Sequence, residues 1–275
     1  MKKILLSVLF MISTSTFANT CTIVIPLPPG GAFDVYARTM QRINKDVVIE
    51  YKPGAYMSQA IGYIESNKQY AILSVPSHYS LQNPLLKEHT STIEPIRVIA
   101  SSDQIILSNK DIDLKKLLTE KINIGIPLLG GPQHLIAMQI KEKNPNVEIV
   151  PLGGDVKALP VLKLNDVDAY ITASTNALKW IESFNFKQIV RVPAIKSITQ
   201  NGITLTNVSS NLIFMHKNSS AEQKNNINEC IDKIVKSDQW EEALKSMNVT
   251  PLDINGKEKD KIIQDYQKIL HNYGL

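Results

Sequence analysis

TIVIPLPPGGAFDVYAR, residues Thr22 to Arg38, joins a short β-branched run to a helix through a loop almost stripped of side chains. Thr22 to Ile25 has the character of an interior strand. Leu27-Pro28-Pro29 removes backbone donors and stiffens the turn, and Gly30-Gly31 admits positive φ and close approach to the backbone. Ala32, Phe33, Tyr36, Ala37, Met40 and Ile43 then follow at helical spacing. The unpaired N–H groups of that helix's first turn, with the positive end of its dipole, face back over the loop and favour a carboxylate or phosphate. The same letters also suit an ordinary strand–turn–helix connection.

The pattern returns twice, in INIGIPLLGGPQHLIAMQI (Ile122 to Ile140) and VEIVPLGGDVKALPVLKL (Val147 to Leu164). Pro132 fits a first helical position, where its missing N–H costs nothing. Asp155 fits an N-cap, and Pro160 is expected to kink or delay the helix behind it. Three donor-rich helix starts spread over both halves of the chain suggest an anion held in a cleft between two lobes.

Further strand candidates are Val47 to Tyr51, Tyr70 to Val75, Ile96 to Ala100, Val167 to Thr172 and Ile189 to Val192, with helices between them. Such alternation argues for α/β architecture with largely parallel sheets. Late in the chain, Ser219 with Glu222 reads as a capping box opening a helix through Val235. Asp238 reads as the cap of Trp240 to Met247, and Ile262, Ile263, Tyr266, Ile269, Leu270 and Tyr273 form one apolar stripe.

With 275 residues the chain has room for one large domain or two small ones. Lys2-Lys3, the apolar run Ile4 to Ile12 and the small residues up to Ala18 read as a secretory signal peptide cut after Ala18, which implies export and a periplasmic location. A formal charge of +4, part of it in that leader, and scattered basic residues give no argument for nucleic-acid or membrane binding. The two cysteines, Cys21 and Cys230, would be joined in an oxidising compartment, or one would be buried and the other free. Asn19-Thr20 ahead of Cys21 does not suit a lipid-attachment signal.

Taken together, the segments resemble the substrate-binding proteins of tripartite tricarboxylate transporters, the Bug family of periplasmic solute-binding proteins. The resemblance rests chiefly on PPGGAFDVYAR, Pro28 to Arg38. It is supported by Lys52-Pro53-Gly54-Ala55, Tyr70 to Leu73 followed by Asn83-Pro84, Gly130 to Leu135, Val150-Pro151 with Gly153-Gly154, and Val167-Asp168-Ala169. It implies a two-lobed type II periplasmic-binding-protein fold, each lobe a mostly parallel sheet flanked by helices, closing by a hinge on a small organic carboxylate. It also implies delivery to a tripartite tricarboxylate-type membrane transporter. A module reporting the carboxylate to a membrane sensor kinase is the alternative, and a secreted enzyme a more distant one. The chain departs from the family at Tyr56-Met57 and at Leu152, where a tyrosine–lysine pair is usual, so no relative's ligand transfers directly.

On this reading residues 1–18 are the leader, 19–105 and 214–275 the first lobe, and 106–213 the second, with crossings near Ile105 to Ser108 and Asn211 to Phe214. The candidate ligand contacts are Pro29, Gly30, Gly31, Ala32 and Asp34 in the first loop; Ser74 and Ser77 after the third strand; Gly130, Gly131 and His134; and Gly153, Gly154 and Asp155. His78 and Tyr56 are weaker candidates. Asp34 suits helix stabilisation as well as a ligand amine. The sequence carries no G-x-S-x-G, G-x-x-x-x-G-K-[ST], H-E-x-x-H or paired C-x-x-C pattern, and no cofactor, metal or catalytic residue is assigned. A monomer without nucleic-acid partners is expected.

Overall fold

The computed structural model describes residues 20–54, 57–74 and 91–274; the leader, Tyr56, Ser77, His78 and Asn83-Pro84 lie outside the described residues. The chain begins with β1 (Cys21–Ile25), α1 (Ala32–Ile43), β2 (Val47–Tyr51), α2 (Ser58–Ser66), β3 (Ala71–Ser74) and β4 (Ile93–Ser102). There follow β5 (Gln104–Ser108), α3 (Leu114–Thr119), β6 (Ile122–Ile126), α4 (Pro132–Lys143), β7 (Val147–Pro151), α5 (Asp155–Lys163), β8 (Ala169–Ala173), α6 (Ser174–Phe184), β9 (Lys187–Val192) and the hairpin β10 (Lys196–Gln200) and β11 (Ile203–Asn207). The last stretch is β12 (Asn211–His216), α7 (Ala221–Val235), α8 (Asp238–Ser246), β13 (Val249–Ile254) and α9 (Gly256–Asn272).

Among the described residues two large sheets form, one ordered β13-β4-β12-β3-β1-β2 and the other β7-β6-β8-β5-β9, while β10 and β11 pair as a separate two-stranded sheet. Read from β2 and from β7 their first five strands are arranged alike, with three parallel strands, an antiparallel strand contributed by the other half of the sequence and a strand antiparallel to that one; the first sheet adds β13, antiparallel to β4, at its edge. The expectation of α/β lobes holds, and the sheets are mixed because β5 and β12 are exchanged between the halves. Each sheet carries apolar side chains on both faces. In the first, one face packs Tyr36 and Met40 of α1 with Ile231 and Trp240, while the other packs Val24, Ile72 and Phe214 with Ile61 and Ile263.

The expected crossings fall inside β5 and β12, whose apolar residues Ile105 to Leu107 and Leu212 to Met215 are fully buried in their own sheets. The exchanges occur instead at Asp103 and between Asn207 and Asn211, where the residues are polar. There the two strands of the connection are bonded to each other: Ser101 Oγ donates to the Ser209 carbonyl, and Ser209 Oγ (2.6 Å) and Asn207 Nδ2 (2.9 Å) donate to the Ser102 carbonyl. Asp103 accepts from Arg191 Nε at 2.5 Å and from the Ala194 N–H at 2.8 Å.

Several caps differ from expectation by one residue. The capping box of α7 is Ser220 with Gln223, because Ser219 turns its hydroxyl to the Lys68 carbonyl at 2.6 Å. Ser237 caps α8 ahead of Asp238. Asp155 is the first residue of α5 behind an N-cap at Gly154, and α5 runs through Pro160, whose ring is on the exposed side. The C-terminal elements are tied down by Arg97 of β4, only 3% exposed, which donates to Asp253 at 2.6 Å and also pairs with Asp232.

Cys21 and Cys230 form a disulfide with their Cα atoms 6.4 Å apart, linking β1 to α7 across 209 residues. Removing a bridge of this kind costs about 2–5 kcal/mol, chiefly by freeing the unfolded chain. Reduction, or Cys21→Ser with Cys230→Ser, is therefore expected to lower Tm by roughly 5–15 °C for a protein of this size. A thermal melt unchanged by reductant would show that the bridge adds nothing to stability.

Candidate functional site

The Gly30-Gly31 and Gly130-Gly131 loops are built alike from their glycines onward, although the first is one residue longer, whereas Gly153 and Gly154 both take positive φ. Gly30 and Gly130 take left-handed backbone with φ of 96° and 75°, a conformation that would strain a side chain. Gly31 and Gly131 are N-caps in ordinary extended backbone, with φ of −88° and −76°, and offer no side-chain cap. The glycine requirement from φ thus falls on the first glycine of each pair. At the second, what matters is the space a Cβ would take.

Four residues further on, a side chain returns to each loop. Asp34 Oδ2 accepts the Gly30 N–H at 2.8 Å, and His134 Nδ1 accepts the Gly130 N–H at 2.9 Å. Burial opposes the charge on Asp34, but hydrogen bonds from Tyr51, Gly30 and Arg38 outweigh it and hold the carboxyl below its ordinary range. Burial pushes His134 down to about 4, so at neutral pH it is uncharged and free to accept through Nδ1. Asp34 and His134 therefore position their loops. The N–H groups left over in the first turns of α1 and α4, including those of Ala32, Phe33 and Gln133, make no bond within the helices and remain available.

Both helix starts open on a chamber of about 60 Å³ between the sheets. It is lined by Ala32, Phe33 and Tyr36 of α1, Gly131 and Gln133 of the second loop, and Asp155, with Ser102, Gln104, Ser209 and Asn211 from the connecting strands. Its polar groups are incompletely used: the Tyr36 hydroxyl and the Asn211 amide nitrogen are buried without a hydrogen bond of good geometry, Ser102 and Asn211 being the polar side chains beside the phenol. Burial raises the Tyr36 phenol to about 12, so it stays protonated and can donate. Asp155 is 8% exposed and accepts from Thr172 Oγ1 at 2.6 Å and Tyr170 Oη at 3.0 Å. Burial is the dominant influence on its carboxyl and raises its pKa despite those bonds.

A second chamber of about 110 Å³ adjoins between Pro28, Gly31, Gly153, Gly154, Asp155 and Lys157. The mouth beyond it, about 510 Å³, runs between Pro28, Pro53, Gly54, Leu128, Gly153 and Lys157. The lobes meet from rim to chamber: at the rim Val156 stands 3.2 Å from the place of a Cβ on Gly30, and deeper Asp155 Oδ2 stands 3.6 Å from that of one on Gly31.

Most sequence-derived candidates converge here. Gly31, Ala32, Gly131 and Asp155 line the inner chamber, and Gly153 and Gly154 the adjoining one. Pro29 and Gly30 are exposed at the rim, and Gly130 is buried beneath its loop. Ser74 is fully buried and turns its hydroxyl to Met57 Sδ at 3.2 Å, because the left-handed backbone of Met57 brings that side chain into the core. Tyr36, Asn211 and Lys157 were not singled out by the sequence: Tyr36 sits on an apolar stripe that reads as core throughout, and Asn211 reaches the chamber only through the strand exchange. Among the described residues, no cluster of His, Cys, Asp and Glu is placed to hold a metal ion, and no helix is long and apolar enough to cross a membrane.

No protein-family model matches the chain, and no curated protein does. Solved structures do. The periplasmic binding protein BugD superposes with a TM-score of 0.74 at 17% identity, over 93% of this chain and 97% of its own. A protein of R. palustris solved with adipate gives 0.78 at 16% identity over 93% and 97%. MatC from Rhodopseudomonas palustris, with bound malate, gives 0.71 at 16% identity over 92% and 97%. At such identities the likeness is one of fold, and it shows that the chain has the two-lobed α/β fold of periplasmic binding proteins.

The state of His134 sets an acid dependence. Its pKa is depressed in the folded chain, so its contribution to stability is present above the unfolded value near 6.5 and is lost as pH falls toward 4. By pH 5 the loss should reach about 2 kcal/mol. His134→Gln, which can still accept the Gly130 N–H, should show a smaller fall in Tm between pH 7 and pH 5 than the parent. Parallel acid profiles for the two proteins would show that His134 does not titrate as described.

Proposed function

We propose that this protein is an exported solute-binding protein of the Bug type, which captures a small organic carboxylate between its lobes without chemical turnover and hands it to a tripartite tricarboxylate-type membrane transporter. The observation that carries this reading is the convergence of two helix N-termini, each behind a Gly-Gly loop, on one chamber that also holds a phenol and an amide without a well-aligned partner. Such donors suit a carboxylate and need no arginine or lysine inside the chamber. The resemblance of Pro28 to Arg38 to the family's loop, and fold neighbours solved with adipate and malate, support the same reading.

The inner chamber is far smaller than the roughly 300–1,000 Å³ usual for ligand sites, so uptake requires the lobes to part. The polar connections at Asp103 and between Asn207 and Asn211 are the natural hinge, since the cores of the two sheets do not extend through them. Leader cleavage after Ala18 and delivery as a monomer complete the proposal.

A thermal-shift panel of di- and tricarboxylates, amino acids and aromatic acids, followed by calorimetry, tests it; a panel with no binder would overturn it. For the best ligand, Gly31→Val should fold, since its φ suits any residue, yet crowd the anion. Loss of a charge-assisted hydrogen bond predicts binding on the order of ten to a hundred times weaker. Arg38→Gln should matter less, because Arg38 reaches only Asp34 and Tyr51 on the protein's outer side. Undiminished affinity in a folded Gly31→Val protein would place the site elsewhere.

A further inference from the structure

Asp155 sets a condition on the ligand that the helix starts alone do not. Among the described residues lining the inner chamber it is the one charged side chain. Tyr170 and Thr172 donate to Oδ1, the Asn176 side chain and the residue's own N–H also stand beside the carboxylate, and Oδ2 is turned across the cleft toward Gly31. Among the described residues no lysine, arginine or histidine forms an ion pair with it. Lys157, two residues along α5, stands at the rim beside Gly153.

We propose that the ligand is an amino carboxylate, with its carboxylate on the first-turn N–H groups of α1 and α4 and its ammonium on Asp155. This rests on the carboxylate reading above and narrows it. A carboxylate brought to the α1 start arrives next to Oδ2, in a place too enclosed for water to screen two like charges. A simple dicarboxylate would add to that repulsion or require Asp155 to hold a proton. An ammonium on the same ligand removes it, and gives the buried carboxylate the counter-charge that the chain itself does not supply. The Tyr36 hydroxyl and Asn211 amide, both more than nine-tenths buried and without a well-aligned partner, add neutral donors on the carboxylate side. Burial already raises the Asp155 pKa, which fits a carboxyl waiting for a cation.

The test is calorimetry on the mature, disulfide-bonded chain with matched probes: aspartate against succinate, glutamate against glutarate, 4-aminobutyrate against butyrate. In at least one pair the amino member should bind roughly ten- to a hundredfold more tightly, the effect of one charge-assisted contact. Asp155→Asn, which keeps an oxygen for Tyr170 and Thr172, should shrink that gap to about twofold or less while leaving the des-amino member bound at least as well. If Asp155→Asn does not fold, the wild-type pairs decide alone. Tight binding of des-amino acids with no preference for their amino partners, or a preference that survives in folded Asp155→Asn, overturns this inference and leaves the carboxylate reading standing. Failure of every acid of either kind to bind overturns both.

Discussion

The site depends on one local bond made twice: the side chain of a helix's third residue takes the N–H of the glycine four residues before it. The left-handed glycine aims its amide inward at that acceptor, and the next glycine enters the helix as a cap with no side chain. The loop is thereby fixed without using the helix's own first-turn N–H groups. Those groups would otherwise be capped by a serine or aspartate, as Ser220 and Ser237 do at the starts of α7 and α8. The difference separates helix ends that stabilise the chain from helix ends that can receive a ligand.

The two versions of the bond differ in charge. Asp34 carries a full negative charge, held by Arg38 and Tyr51 on the outer side of α1. His134 is neutral, and its loop is also braced from the first lobe by Tyr266 of α9, whose hydroxyl donates to the Gly130 carbonyl at 3.3 Å. An anion approaching the first loop therefore meets Asp34 behind the helix start, partly offset by Arg38, whereas the second loop adds no opposing charge of its own. The donors of α4 are the less encumbered of the two sets.

Much of this was legible in sequence because β1, α1, β6, α4 and β7 are continuous local patterns: a β-branched run, a Gly-Gly pair and apolar residues at helical spacing. What escaped is non-local. β5 and β12 are short, apolar on both faces and read equally well as linkers, since nothing local says that each completes the opposite sheet. Asp155 was legible as a helix-start residue, yet its carboxylate bonds β8 through Tyr170 and Thr172 and so points into the cleft. Ser74 was legible as a strand end, but the partner that draws it inward, Met57, owes its position to a left-handed backbone that the sequence of a bulky residue does not advertise.

The strand exchange also explains where the polar groups of this largely apolar chamber come from. Ser209 Oγ donates to the Ser102 carbonyl and Ser101 Oγ to the Ser209 carbonyl, so Ser102 and Ser209 are held at the bottom of the cleft by the exchange, with Asn211 beside them. Gln104, the first residue of β5, accepts from Gln133 Nε2 at 2.7 Å and so fastens the floor to the second loop. A change in the angle between the lobes must move these groups together with the helix starts they face. On the proposed hinge, a change in lobe angle carries the donors on α1 and α4, the Asp155 carboxyl and these floor groups together, so that capture of a small molecule and movement of the lobes would be coupled.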